Sequence, residues 1–366
     1  MAATAARFEA SECTAFRAEM RAKTRAMFVI RAAQRGDLDQ VHEVAKHLDT
    51  VNLPDDREVL THILDLAERS FAGQVDTFQR EYIFVLEDRD ARRIIGTSMI
   101  HAQHGTRRSP HVYFEVGKEE RYSESIDHYA VHQTLQLKYN YDGPTEIGGL
   151  ILLPEYRGRP GALGRMLSYL RFLYIAMHRE RFRDVVLSEL LPPLEEDGTS
   201  ILWEALGRHF TGLTYQRADL LSKDNKEFIR ALFPQETLYT ALLPVNVRAV
   251  IGVVGPDTRG VERMLRKIGF EYASQIDPFD GGPHFSARTD DITLVKAARR
   301  ARVSADTLGE SQGKPALVAF EPGRAPWFQA VQAPIELEEG GQVRLGATTR
   351  ADLGVEPGQE VALLPL

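Results

Sequence analysis

The chain lacks the features that define several broad classes of protein. Its 366 residues include one cysteine, Cys13, which excludes an intramolecular disulfide and a cysteine-based zinc cluster. No run of about 18 apolar residues occurs, so a membrane-spanning helix is not expected. Acidic residues outnumber basic ones, 52 against 45, so the sequence indicates no general affinity for nucleic acid.

The composition changes along the chain and suggests three segments. Residues 1–26 contain three glutamates and no apolar core, which predicts a helical extension rather than a targeting peptide and favours a cytoplasmic protein. Residues 27–292 predict a mixed α/β domain with an insertion at about 192–247. Residues 293–366 are rich in valine, proline and glycine and alternate at Gln342–Leu345 and Glu360–Leu364, which indicates a small C-terminal β domain.

Hydrophobic periodicity predicts the elements of the larger domain. The predicted strands are Met27–Arg31, Tyr82–Asp88, Arg93–His101, Ile147–Leu153, Asp184–Leu190 and Ala249–Val254. The predicted helices run from Gly36 to about Leu48, from Arg57 to Phe71, from the glycine-rich turn after residue 156 to about Arg179, from Ser200 to His209 and from Val261 to Ile268. The second and third strands predict a hairpin, and the fourth and fifth are expected to be parallel, joined by a crossover helix. Residues 102–146 show no pattern that assigns them to an element.

The stretch from residue 147 to 173 is the most informative, because an apolar strand passes through a glycine-rich turn into a long helix. Backbone N–H groups at such a helix start are unpaired and lie at the positive end of the helix dipole, an arrangement that binds pyrophosphate. Gly158, Gly161 and Gly164 permit close backbone approach, and Arg157 and Arg165 add positive charge. The alternative is an ordinary strand–turn–helix corner.

This stretch resembles the acyl-CoA-binding element of the GNAT acyltransferases, in which the amides of an Arg-Gly-x-Gly-x-Gly/Ala segment hold the CoA pyrophosphate. The segment from Arg157 to Gly164 carries one extra residue, and Ala162 lies within it. A second GNAT feature is the helix-then-strand order at VERMLRKIGF. The resemblance implies a GNAT fold in which two parallel strands part and expose the backbone around Leu150 and Leu152 to the acyl-CoA.

Six segments in order also resemble one GNAT-related family, the arginine N-succinyltransferases. They are FVIRAAQRGDLDQV, FVLEDRDARRIIGTSMI, LILLPEYR, SILWEALGRHF with YQRADLLS, VIGVVGPDT, and IDPFDGGPHF. The resemblance implies transfer of a succinyl group from succinyl-CoA to the α-amine of L-arginine, with both as small-molecule substrates and no permanently bound cofactor. It also implies a substrate contact at Leu150. Homo- or hetero-oligomeric assembly stays open.

The attack of an amine on a thioester needs a group that removes a proton from the ammonium. The family's proton-donor histidine corresponds to Gly255 here, its strand-end arginine to Leu191, and the GNAT tyrosine to Leu265. Two other residues are therefore the catalytic candidates. Glu189 ends a buried strand, where a raised pKa is expected to make it a base, and it aligns with a family glutamate. His284 lies in FDGGPHF, where the family usually has a non-titratable residue. The alternatives are a salt-bridged structural glutamate and a structural histidine.

Asp277 and Asp280 flank a predicted turn, where one or both carboxylates cap the turn or pair with a cationic substrate. His101, His104, His111, His128 and His132 are predicted to be surface residues, and no metal site is predicted. Two further functions stay open: acylation of a different amine or with a different acyl-CoA, and a catalytically silent homologue that binds acyl-CoA or arginine. A nucleotide-binding oxidoreductase is disfavoured, because Met177 and His178 stand where an acidic residue is required.

Overall fold

The computed structural model describes residues 28–47, 53–107, 109–222, 226–309 and 312–366. The predicted helical extension at residues 1–26 lies outside these ranges. The described strands are β1 Phe28–Ala32, β2 Glu81–Asp88, β3 Arg93–His101, β4 His111–Ser123, β5 His128–Asn140, β6 Thr145–Leu152, β7 Val185–Glu189, β8 Leu238–Tyr239, β9 Glu271–Ile276, β10 Pro283–Arg288, β11 Arg299–Thr307, β12 Lys314–Phe320, β13 Gln329–Leu337, β14 Gln342–Leu345 and β15 Glu360–Pro365.

The described α-helices occur between the strands, in places several in succession. They are α1 Leu38–Ala45, α2 Arg57–Phe71, α3 Leu163–Met177, α4 Ile201–Ala205, α5 Gly207–Thr211, α6 Tyr215–Ser222, α7 Glu227–Leu232, α8 Val245–Arg248, α9 Arg259–Lys267, α10 Thr293–Ala297 and α11 Ala347–Leu353. None of the described helices is long and apolar enough to span a bilayer.

The described strands form one mixed sheet in the order β12-β15-β11-β14-β13-β1-β2-β3-β6-β7-β10-β9-β4-β5-β8. An additional antiparallel pairing of β12 with β13 closes the five C-terminal strands into a small barrel. The first strand, β1, pairs with β13 of the barrel on one side and with β2 on the other. The mixed α/β architecture and the C-terminal β structure predicted from the sequence are therefore present.

Local signals explain the elements at the start of the sheet. Helix α2 begins at Arg57 because the side chain of Asp56 accepts hydrogen bonds from the N–H groups of Glu58 and Val59. The predicted hairpin is confirmed, since β2 and β3 are antiparallel and Asp88 pairs with Arg93. Buried side chains on these strands and on α1, α2 and α3 form one continuous hydrophobic core.

The segment that the sequence left unassigned, residues 102–146, contains the long antiparallel hairpin of β4 and β5. Its outer half is largely exposed, including Tyr122 and Tyr129, so no apolar alternation reveals the strands. The inner half contributes Phe114 and Leu135 to a second core cluster, which also contains Trp203. Trp203 comes from the predicted insertion, whose short helices α4 to α8 pack on this hairpin.

The predicted strand Ala249–Val254 is wrong. These residues follow α8 as turns, and Gly252 adopts a positive φ of 69° with its N–H donated to the carbonyl of Gly281. Val250 and Ile251 are buried, and Ile251 belongs to the core cluster that the insertion forms with the β4–β5 hairpin. Hydrophobic periodicity alone does not distinguish a short apolar strand from a buried turn of the same length.

The parallel strands β6 and β7 determine where the site lies. They pair only at Thr145 with Val186 and at Glu146 with Leu187. Beyond these pairs the two strands part, while β6 stays paired with β3 and β7 with β10. We call the resulting gap between β6 and β7 the strand opening.

Candidate active site

A cluster of histidines surrounds Glu189 at the end of β7. The register of β7 with β10 places His284 directly opposite Glu189, and His284 Nε2 lies 3.4 Å from Glu189 Oε1. His111, the first residue of β4, brings its Nε2 to 3.3 Å from the same oxygen. His104, in the loop after β3, brings its Nε2 to 3.9 Å from it. We call Glu189, His104, His111 and His284 the Glu189 cluster.

A second carboxylate orients one of these imidazoles. His104 Nδ1 lies 2.7 Å from Glu146 Oε2, so the opposite nitrogen of the ring points to Glu189. Glu146 is 3% exposed and belongs to the last β6 pair before the strand opening. The cluster therefore assembles from four separate parts of the chain at one level of the sheet.

Burial and mutual charge set the protonation of the cluster. Burial alone would raise the pKa of Glu189, but the neighbouring imidazoles of His284, His111 and His104 hold it well below its usual range, so the raised pKa expected from the sequence is wrong. Burial lowers the pKa of His284, and burial together with His104 lowers that of His111 to about 3. At neutral pH the cluster therefore presents an ionised carboxylate and two neutral imidazoles.

Two of these rings retain hydrogen-bonding capacity. His284 is fully buried, and neither of its ring nitrogens makes a hydrogen bond with the described residues. His111 Nε2 is likewise without a hydrogen bond among them, because its orientation to Glu189 does not suit one. A neutral imidazole with an unused nitrogen can accept a proton from a bound amine or donate one to a leaving group.

The prediction that the histidines between residues 101 and 132 lie on the surface is wrong for three of them. His111 is buried, and His101 and His104 are only partly exposed and lie beside carboxylates. The prediction holds for His128, which is exposed on β5. His132, on the same strand, is half-buried. No local pattern identifies His104 and His111, because only the sheet brings them to Glu189.

The two predicted substrate-binding aspartates lie in the turn between β9 and β10. Asp277 Oδ1 accepts hydrogen bonds from the N–H groups of Phe279 and Asp280 at 2.6 and 3.2 Å. Asp280 Oδ1 accepts one from Gly282 at 2.6 Å. Both carboxylates therefore make the turn-capping contacts that were the alternative interpretation. Burial and the nearby Glu189 raise the pKa of Asp277 to about 7, and burial with Asp277 raises that of Asp280 well above its usual range.

The cluster also has donor atoms of the kinds that hold divalent metals. Single donor atoms of His104, His111 and Glu189 all lie within 4.8 Å of one another, as do those of Glu189, Asp277 and His284. Imidazole nitrogen and carboxylate oxygen are the donors that zinc takes in proteins. The sequence-based prediction of no metal stays a prediction.

The predicted pyrophosphate segment lies at the start of α3. Residues 157–162 are exposed, and Gly158, Gly161 and Ala162 have positive φ angles of 72°, 100° and 51°. Ala162 precedes the first helical residue, offers no side-chain cap, and is followed by no acidic residue in the first turn. The first amides of α3 therefore lack a side-chain partner at the positive end of the helix.

The remaining predicted residues of this segment surround the helix start. Arg157 Nε donates to the carbonyl of Leu152 at 3.0 Å, and Arg165 is exposed on the first turn of α3. A side chain at Gly164 would lie 3.8 Å from Leu152. Leu150 and Leu152, predicted to contact the acyl-CoA, are half-buried on β6 beyond its last pair with β7. The glycine-rich turn thus follows the end of β6, and the strand opening lies along the side of the same strand.

The structure also accounts for the residues that depart from the family pattern. A Cβ on Gly255 would lie 2.5 Å from the carbonyl oxygen of Pro192, so a side chain there requires the backbone to move. Leu265 is buried in the main core, 1% exposed. Gly255 therefore has no room for a side chain in this arrangement, and Leu265 contributes its side chain to the core.

The fold matches that of a solved enzyme subunit. The structure of arginine/ornithine succinyltransferase subunit AI from Pseudomonas aeruginosa superposes with a TM-score of 0.78 and 30% sequence identity, covering 93% of this chain and 99% of that one. With the parted strands, the open helix start and the Glu189 cluster, this likeness defines the class of the protein as a mixed α/β acyltransferase.

Sequence comparison identifies the family within that class. The profile of the family described as "Arginine N-succinyltransferase beta subunit" matches residues 28–294. The Arginine N-succinyltransferase of Yersinia pestis is 32% identical over 349 residues, 93% of this chain and 98% of that protein. Arginine N-succinyltransferase subunit beta of Pseudomonas aeruginosa is 34% identical over 285 residues, 77% of this chain and 83% of that one. The chain belongs to the arginine N-succinyltransferase family, which confirms the family predicted from its sequence.

Proposed function

We propose that the protein transfers the succinyl group of succinyl-CoA to the α-amino group of L-arginine and releases CoA. The observation that carries this proposal is the arrangement along β6. The glycine-rich start of α3 follows one end of the strand, the strand opening exposes its middle, and the Glu189 cluster lies at the last pair with β7. An extended acyl-CoA that lies along this strand carries its thioester to the carboxylate and imidazoles.

In this arrangement the phosphates bind at the helix start. Backbone amides after Ala162 donate to pyrophosphate oxygens, and Arg157 and Arg165 supply positive charge. Gly158 and Gly161 carry no side chain and adopt positive φ angles, so at these two positions the backbone can approach the phosphates closely. The pantetheine arm then runs past Leu152 and Leu150 into the strand opening.

The acyl transfer itself is a proton-coupled addition and elimination. The α-ammonium of arginine gives a proton to the Glu189 cluster, directly or through water, and the neutral amine forms a C–N bond to the thioester carbonyl. The nitrogen of the tetrahedral intermediate loses a second proton, the C–S bond breaks as the intermediate collapses, and one proton is returned to the departing CoA thiolate. The products are N-succinylarginine, CoA and one released proton, so charge and atoms balance.

The cationic acceptor suits the charges around the cluster. Glu146 and Glu189 lie on opposite nitrogens of His104, and donor atoms of Asp277, Glu189 and His284 lie within 4.8 Å of one another. A carboxylate here that is not consumed by turn capping can pair with the guanidinium of arginine. L-ornithine is the second acceptor to test, because the solved homologue from Pseudomonas aeruginosa is named an arginine/ornithine succinyltransferase subunit.

Release of free CoA thiol from succinyl-CoA tests the proposal directly. Purified protein with succinyl-CoA and L-arginine is expected to release thiol in proportion to N-succinylarginine, which mass spectrometry identifies. Agmatine, which keeps the amine and the guanidinium of arginine but lacks the α-carboxylate, is the matched acceptor control. Thiol release that does not depend on an added amine would contradict acyl transfer.

The second candidate is a catalytically silent homologue, and Gly255 is the observation that favours it. A thermal shift with succinyl-CoA and no thiol release with any amine would identify this outcome, because a ligand that binds the native state stabilises it by mass action. The Pseudomonas aeruginosa relative is named a beta subunit, so the activity of this chain can also depend on its assembly with other chains. Light scattering of the purified chain measures whether it self-associates.

A further inference from the structure

Arg171 is a buried cation that the acyl-transfer steps described above do not use. It lies on α3 and is 2% exposed. Its Nε donates to the carbonyl of Ser168 at 3.1 Å, its Nη2 to Ser168 Oγ at 2.8 Å and its Nη1 to the carbonyl of Gly148 at 3.4 Å. Among the described residues, no carboxylate forms an ion pair with it, and burial alone accounts for its lowered pKa of about 9.

A guanidinium in this position is costly to the fold. It remains protonated at neutral pH, and burial of a charge without an opposite charge costs several kcal/mol. The groups that accept its hydrogen bonds are neutral, and they use only part of the five N–H donors of the guanidinium. Two of the three hydrogen bonds are made to Ser168. A buried, preorganised guanidinium with donors to spare has the chemistry of a carboxylate-binding group.

The position of Arg171 relates it to the acyl-CoA rather than to the acceptor amine. Gly148, whose carbonyl it contacts, lies two residues past the last β6–β7 pair and two before Leu150. Arg171 also lies eight residues along α3 from Leu163, roughly 12 Å from the helix start at 1.5 Å per residue. The helix that begins at the phosphate segment therefore carries this cation to the inner end of the strand opening.

We propose that Arg171 is the subsite for the terminal carboxylate of the succinyl group and so determines the choice of acyl donor. This inference rests on the proposed function, and it assigns the specificity for a dicarboxylic acyl-CoA to one side chain. Ser168 and the Gly148 carbonyl hold the guanidinium in place, and its remaining N–H groups donate to the carboxylate oxygens. Acyl groups without a terminal carboxylate leave the cation buried and unpaired, which disfavours them.

The test compares succinyl-CoA with butyryl-CoA, in which a methyl group replaces the terminal carboxylate. The wild-type protein is expected to prefer succinyl-CoA in kcat/KM, and Arg171→Met is expected to reduce that preference by roughly 10- to 100-fold, the usual worth of hydrogen bonds to a charged group. Arg171→Lys keeps the charge but not the planar fork, so it should retain part of the preference.

Arg165→Met is the matched control on the same helix. Arg165 is exposed at the phosphate end, so its loss should lower kcat/KM for both acyl-CoAs by the same factor and leave the preference unchanged. Equal losses for both donors in Arg171→Met would overturn the proposal and assign Arg171 a structural role.

Two further measurements keep the test decisive. If Arg171→Met does not fold, Arg171→Lys and Arg171→Gln replace it, and an unaltered succinyl preference in Arg171→Gln would refute the subsite. If the wild-type protein shows no turnover, the proposed function fails, and calorimetric binding of the two acyl-CoAs then tests Arg171 alone. A tighter binding of succinyl-CoA that Arg171→Gln abolishes supports the subsite, and equal binding of both acyl-CoAs by the wild type contradicts it.

Discussion

The ion pair of His101 with Glu81 should make the stability of the protein depend on pH in the alkaline range. The two residues are cross-strand neighbours on β3 and β2, and His101 Nδ1 lies 3.3 Å from Glu81 Oε1. Burial by itself would lower the pKa of His101, but Glu81, with Glu146 and Glu189 further away, outweighs burial and raises the pKa to about 9. His101 therefore carries a positive charge at neutral pH.

The sign and the size of the effect follow from this pKa. A group whose pKa is higher in the folded than in the unfolded state stabilises the fold fully below the unfolded pKa and loses that contribution as the pH rises. The window here runs from about 6.5, the unfolded value, to about 9. At 1.36 kcal/mol per pH unit, this difference corresponds to ~3 kcal/mol of unfolding free energy.

Urea unfolding followed by circular dichroism at pH 6 and pH 9.5 measures this contribution. The wild-type protein is expected to lose ~3 kcal/mol more than His101→Gln between the two pH values. His128→Gln, which removes an exposed histidine from β5, is the matched control and should follow the wild type. The imidazole NMR signal that is absent from His101→Gln should titrate near pH 9. Parallel stability profiles, or a titration near pH 6.5, would refute the reasoning.

Three further predictions concern the site. Gly161→Asp should abolish acyl-CoA binding measured by calorimetry. Gly161→Ala, which introduces the same backbone strain at φ 100° without a charge, should weaken binding less. Equal acyl-CoA affinities of the two variants would argue against phosphate binding at α3. Glu189→Gln should lower kcat about 10²–10⁴-fold with little change in KM, and unchanged turnover in both Glu189→Gln and His284→Ala would show that the cluster is not the proton acceptor. Dialysis against a chelator should leave thiol release unchanged, whereas a loss that zinc restores would show that the imidazole–carboxylate donors hold a required metal.

Elements stabilised by their immediate sequence neighbours could be predicted without the structure. The hairpin of β2 and β3, the start of α2 at Arg57 and the glycine-rich entry to α3 all rest on signals within a few residues: an alternating pattern, a capping aspartate and glycines at positive φ. The parallel relation of β6 and β7 also followed from local signals, because a crossover helix separates the two strands. The family itself was recognisable from motifs in order.

Elements that depend on distant partners could not be predicted in this way. The strands β4 and β5 have a polar outer half, so their pairing, rather than their pattern, defines them. The apolar residues of Ala249–Val254 have the composition of a strand, but they form turns without a strand partner, and only Val250 and Ile251 among them are buried.

The candidate site divides in the same way. The sequence indicates Glu189 by its place at a strand end and His284 by its motif, and the register of β7 with β10 places the two residues opposite each other. His104 and His111 come from a segment with no readable pattern, so only the closing of the sheet around the strand opening brings their imidazoles to Glu189. Local sequence determined the phosphate segment, because one turn and one helix start build it. The tertiary structure determined the Glu189 cluster, because its charges act on one another only at distances that sheet register creates.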